Sequence, residues 1–235
     1  MNRYSRHIKI FFFNFLKNDY ILYFVGLCRY FYFRLTRPIS ILETSNSIEI
    51  SNQHNLKYIS DIRMQFFMKR FDKLIFSMMA NERFNTDSKI LIIGPRSESD
   101  ILKLNSFGYK NIEAIDLLSY SPRIKVMDAC NLLYDTNTFD CIFCGWVLPY
   151  IKNPQLIADN IFRVIKNDGM ISIGIAYQDD KLINSLDSIK KLFKDKIKNI
   201  FFQYDAELKH KSMIDIYKIT EQESSSIIIS FTVKK

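Results

Sequence analysis

Between residues 90 and 145, four short apolar runs each end on a glycine or an aspartate. Gly94 follows 90–93, Asp116 follows 111–115, Asp128 follows 124–127 and Gly145 follows 140–144. A glycine tolerates positive φ and lets the backbone approach a ligand closely. An ionised carboxylate only accepts hydrogen bonds, so one such group can take both hydroxyl protons of a ribose. Gly94 and Asp116 are 22 residues apart, the separation expected between a nucleotide-binding turn and its ribose carboxylate. Asp128, one strand further on, is placed to accept from an exocyclic adenine amine.

These residues meet only if the four runs are neighbouring parallel strands, because ligands of open α/β sheets bind beyond the carboxyl ends of the strands. The intervening sequence supports that arrangement. Residues 98–107 are helix-compatible and end at Gly108. Residues 154–166 carry a helical period through Leu156, Ile157, Ile161, Phe162 and Ile165, with Pro154 in the first turn. Asn167-Asp168-Gly169 is expected to stop that helix, and 170–175 to form a fifth strand. Strands this apolar, alternating with helices, predict an α/β fold: a Rossmann-like, mostly parallel sheet with helices on both faces. Towards the C terminus, 182–197 reads as helix and 200–204 and 227–233 as strands. Residues 213–219 fit a further strand, and the last strand is expected to run antiparallel.

One link is too short for this pattern. Only residues 117–123 join Asp116 to the next strand, whereas a parallel crossover normally takes a dozen or more residues and usually a helix. The face beside this link should therefore be open to a partner or to the N-terminal helices. Cys141 and Cys144 form a C-x-x-C inside a strand, where residues three apart point to opposite faces. They read as apolar fillers rather than as a redox or zinc pair. No zinc spacing, phosphate loop or nucleophile elbow is present, and no metal is expected.

The sequence divides into a basic aromatic extension (1–38), a helical cap and linker (39–87) and the sheet domain (88–235). In the cap, 56–80 follows a helical period that includes Phe71, Leu74, Ile75 and Met78. The net charge of +8 is concentrated at the start: residues 1–38 hold seven Lys and Arg, one Asp and twelve aromatic residues. Their apolar runs, 8–16 and 20–28, fall short of the ~18–20 residues that span a bilayer. Aromatic rings beside cations suit an anionic membrane surface. An ordinary helical cap packed on the domain accounts for the same pattern, and a basic arm can also bind nucleic acid.

The stretch 90–176 resembles class I S-adenosylmethionine-dependent methyltransferases. The resemblance rests on ILIIG (90–94), NIEAIDL (111–117), VMDA (126–129), TFDCIFCGWVLPYI (138–151) and FRVIKNDGMISIGI (162–175). It implies S-adenosylmethionine as cofactor. Gly94 and Pro95 would lie under its methionine part, Asp116 would bind the ribose hydroxyls and Leu117 would lie against the adenine. Asp128 would meet the adenine amine, with Ala129 supplying backbone contacts, while Gly145 and Trp146 would border the sulfonium and acceptor side. The first motif departs from the family pattern: Ile92 stands for the acid, Arg96 for the second glycine and Glu98 for the third. Arg96, beside Ser97 in the loop, could instead donate to the cofactor carboxylate. Tyr150 is the candidate catalytic group for a hydroxyl acceptor.

The expected activity is methyl transfer to a small-molecule, glycan or lipid-linked acceptor, at oxygen. It is expected in the cytoplasm, peripheral at the inner face of a membrane. Two alternatives stand beside it: a nucleic-acid methyltransferase using the basic arm, and a non-catalytic scaffold of the same fold. His7, His54 and His210 have no motif around them, and oligomeric state is not legible.

Overall fold

The computed structural model describes residues 18–42, 69–176, 182–205 and 226–235, with Leu56, Ile59 and Ser60. The helical run 8–16, the strand candidate 213–219 and all three histidines lie outside the described residues.

In chain order the described elements begin with helix α1 (Asp19–Thr36), strand β1 (Ser40–Ile41), α2 (Lys69–Met79), β2 (Ile90–Ile93) and α3 (Ser99–Ser106). Next come β3 (Ile112–Asp116), β4 (Leu118–Ser119), β5 (Lys125–Val126), β6 (Phe139–Gly145), α4 (Pro154–Val164) and β7 (Ile165–Ala176). The chain closes with α5 (Leu186–Leu192), β8 (Ile197–Asp205) and β9 (Ser226–Val233). The main sheet has the order β5-β3-β2-β6-β7-β9-β8. The first five strands pair in parallel, and β9 runs antiparallel to both β7 and β8. This is the expected mostly parallel sheet with an antiparallel last strand. That last strand is interior, and β8 forms the edge.

Alternation along the strands sorts the core into two layers. Leu91, Ile93, Ile142 and Cys144 face α4 and α5 through Ile157, Ile161, Val164 and Ile189. Ile90, Ile92, Cys141 and Phe143 face α2 and α3 through Phe71, Leu74, Met78, Ile101 and Leu104. Cys141 and Cys144 thus lie on opposite faces, as period-2 geometry requires.

Three boundaries differ from the expected ones. The strand at 124–127 contracts to Lys125–Val126. The long C-terminal helix contracts to Leu186–Leu192 and a 3-10 turn at Lys194–Lys196. Helix α4 ends at Val164 rather than at the Asn-Asp-Gly triplet. Ile165 is already paired with Phe139, residues 166–169 loop out with Asp168 at φ 60°, and pairing resumes at Met170 with Cys141. The triplet is a turn, but one inside the strand ladder.

The short β3–β5 link makes no crossover helix. Leu118 and Ser119 pair instead with Ile41 and Ser40 as a small antiparallel ribbon. Helix α1 covers the space beside it: Tyr30 and Phe33 pack with Leu118, Tyr120 and Ile59 in a cluster of their own. Lys103 of α3 joins this cap to the domain, reaching Asp19 of α1 at 2.7 Å and Asp72 of α2 at 3.3 Å. For the described part of the extension, the packed cap is the arrangement on its inner face. Among the described residues, no helix is long and apolar enough to cross a membrane.

Candidate functional site

The sheet order brings the expected residues to one rim. β5, β3, β2 and β6 are adjacent and parallel, so Asp128, Asp116, Gly94 and Gly145 all leave the carboxyl ends of neighbouring strands.

The β2–α3 loop forms the centre. Gly94 has φ 76°, and a Cβ built on it would lie 2.3 Å from Cγ2 of Val147. Only a glycine fits there, because a side chain would meet both the left-handed backbone and the next loop. Arg96 and Trp146 also have positive φ, 53° and 59°. A non-glycine residue held in this region is strained and persists only where its surroundings fix it. The two strained residues face one cavity of about 50 Å³, whose walls also include Phe71 and Leu74 of α2, Gly94–Ser97, Asp100 and Gly145. Leu74 reaches over both Gly145 and Gly174, where an added Cβ would meet it at 3.2 Å. The two glycines therefore let α2 close down on the strand ends.

Asp116 ends β3 and is 8% exposed. Its Oδ2 accepts the Arg96 N–H at 3.1 Å and its Oδ1 the Leu117 N–H at 2.7 Å. Burial raises its pKa above the usual carboxylate range, and the backbone donors from Arg96 and Leu117 offset part of that rise. The Leu118 backbone is a third donor to this carboxylate, whose two oxygens together offer about four lone pairs. Asp128 is half-buried and accepts the Cys130 N–H at 2.8 Å, closing the turn that carries Ala129.

The cavity unites Gly94, Pro95, Arg96, Ser97, Gly145 and Trp146. Asp116, Leu117, Asp128 and Ala129 are outside its lining and occupy the neighbouring strand ends. Tyr150 is also outside the lining, on the 3-10 turn Leu148–Tyr150 and 42% exposed. Among the described residues no group of His, Cys, Asp and Glu could hold a metal ion.

Residues 106–173, which include β3, the short β3–β5 link, β6 and most of β7, match the methyltransferase domain family. The match covers less than a third of the chain. Solved methyltransferase structures share its fold. The N-methyltransferase NodS from Bradyrhizobium japonicum, solved with S-adenosyl-L-homocysteine, superposes with TM-score 0.60 at 13% identity, covering 81% of this chain and 100% of that one. A putative methyltransferase solved in complex with the Haloferax volcanii Trm112 activator gives 0.54 at 14%, covering 77% and 98%. The [4+2]-cyclase SpnF gives 0.53 at 14%, covering 69% and 80%. No curated protein matches the sequence.

Sequence reasoning missed three contributors to this rim. Phe71 and Leu74 were legible as one apolar helix face, but nothing local says that the face roofs a cavity. Glu98, at the third glycine position, is 1% exposed and turned away from the cavity-lining residues. Its carboxylate is held by Arg29 of α1 and by the Ser121 hydroxyl.

Proposed function

We propose that the chain binds S-adenosylmethionine at the β2–α3 loop and transfers its methyl group to the oxygen of a small-molecule or glycan acceptor. The observation that carries this reading is Gly94, held at φ 76° with no room for a Cβ, beside the buried carboxylate of Asp116. These residues suit the group: a side-chain-free approach for its amino-acid end, and an acceptor with a spare lone pair for a ribose hydroxyl. Arg96 would meet its carboxylate as a charge-assisted donor. When bound, the sulfonium supplies an electrophilic methyl.

The chain's own part is positioning, which needs no signature side chain. Asp116 fixes the loop through the Arg96 N–H. Phe71, Leu74 and Trp146 wall off water. Asp116→Ala is expected to weaken S-adenosylhomocysteine binding by ~1–3 kcal/mol in a folded protein, the cost of unpaired buried donors. An unchanged dissociation constant removes Asp116 from the site.

The outer face of α1 favours an acceptor held at an anionic membrane. Tyr20, Phe24, Tyr32 and Leu35 are 81%, 66%, 62% and 86% exposed. Arg37 is exposed beyond the helix end and Arg34 half-exposed in the last turn. The preceding residues 1–17 add Arg3, Arg6, Lys9 and Lys17 and no acid. Apolar rings among cations match anionic headgroups. Co-sedimentation with phosphatidylglycerol vesicles, lost on Phe24→Ser/Leu35→Ser and absent with phosphatidylcholine, supports the membrane surface. A supernatant protein with both lipids, or a dimer lost in the same variant, rejects it.

A further inference from the structure

We infer that Arg29 is a positioning residue for the cofactor loop, acting through Glu98 from a helix outside the sheet. The inference rests on the cofactor reading above. The loop lacks two of its family's glycines, so flexible close approach is replaced by a backbone that must be held in place. It is held from two sides. On the sheet side, Asp116 takes the Arg96 N–H at 3.1 Å. On the outer side, the Glu98 N–H donates to the Tyr120 hydroxyl at 3.2 Å. The Glu98 side chain receives Arg29, whose Nη2 donates to Oε1 at 3.1 Å and whose Nε donates to Oε2. The Ser121 hydroxyl donates to the same carboxylate.

A carboxylate this buried is tolerated only with its partners in place. The forked guanidinium fits it in one orientation, which an ammonium cannot reproduce. Arg29 thus sets where Glu98 lies, and Glu98 ends the segment that carries Gly94 to Ser97 along the cavity wall. Helix α1 does more than fill the space left by the missing crossover helix: its inner face completes the cofactor loop.

The test uses the full chain and S-adenosylhomocysteine as the probe. Calorimetric affinity and the ligand-free melting temperature are measured for wild type, Arg29→Met, Arg29→Lys, Glu98→Gln, the Arg29→Met/Glu98→Gln double variant and Lys103→Met. Lys103 anchors α1 through Asp19 and α2 through Asp72. Arg29→Met is expected to weaken binding ~10-fold, within the range of residues that act on a site from outside it. Arg29→Lys should recover part of the loss. The double variant should bind more tightly than Arg29→Met, because no uncompensated carboxylate remains. Lys103→Met should lower the melting temperature and leave affinity unchanged. Amide exchange in Arg29→Met should rise at 94–98 and not in β2 or β6. If Arg29→Met does not fold, Glu98→Gln alone decides by weakened or unchanged affinity. Unchanged affinity in folded Arg29 and Glu98 variants overturns the inference, as does an equal loss in Lys103→Met. Absence of binding in the wild type overturns the cofactor reading itself and this inference with it.

Discussion

The Tyr30 ring of α1 stands edge-on to Tyr120 in the β3–β5 link, with centroids 5.2 Å apart and planes at 80°. Both rings are buried, 5% and 2% exposed. An N-terminal helix therefore covers the position that a crossover helix normally fills. Tyr30→Ala should cost about 3 kcal/mol in urea unfolding, the scale of truncating a large buried aromatic side chain. A chain beginning at Ser40 should aggregate, because the apolar surface around Leu118 and Tyr120 would face water. A truncated protein that stays monomeric with unchanged stability would show that α1 is dispensable.

At Gly94 two penalties combine. Gly94→Ala places a methyl against Val147 and an L-residue at φ 76°. Together these should destabilise the protein by about 2 kcal/mol or more. Adding Val147→Ala relieves the clash but not the backbone strain, so it should restore only part of the loss. Full recovery in the double variant would mean that the left-handed conformation costs nothing.

Asp116 should leave a pH signature. Its folded pKa is raised, chiefly by burial. Such a carboxyl contributes stability that is complete below its unfolded pKa of ~3.9 and is lost as pH rises through the folded value. Asp116→Asn lacks that loss. The melting temperature of the variant relative to wild type should therefore rise between pH 4 and pH 7. A difference that stays flat over this range contradicts the raised pKa.

The four cysteines should separate by reactivity. Cys28 is exposed, while Cys141 and Cys144 are buried. Burial pushes the Cys130 thiol up to about 11 and Cys144 to about 12, and holds Cys141 well above its ordinary value. Thiolate is the reactive form, so iodoacetamide at pH 8 should label Cys28 alone until the protein unfolds. Labelling of Cys141 or Cys144 in the folded chain, or a disulfide between them, would contradict their placement on opposite sheet faces.

Much of the rim was legible because strand periodicity and strand-end residues are local signals. Gly94, Asp116, Asp128 and Gly145 follow from apolar runs and their terminators. The short link after Asp116 announced an open face by its length alone. What was not legible depends on partners distant in sequence. Ile165 fits a helix face as well as a strand, and only its pairing with Phe139 decides. The burial of β9 between β7 and β8 is a matter of sheet order, which periodicity does not encode. Glu98 looked like a defect in a glycine loop because its partner, Arg29, lies 69 residues earlier on a different element.

The central claim is that this rim holds S-adenosylmethionine, and titration calorimetry of the full chain with S-adenosylhomocysteine tests it most directly. Saturable 1:1 binding is expected, accompanied by a rise in melting temperature and weakened by Asp116→Ala. No heat and no thermal shift at ~1 mM ligand, where even an affinity of −4.1 kcal/mol would register, would contradict it.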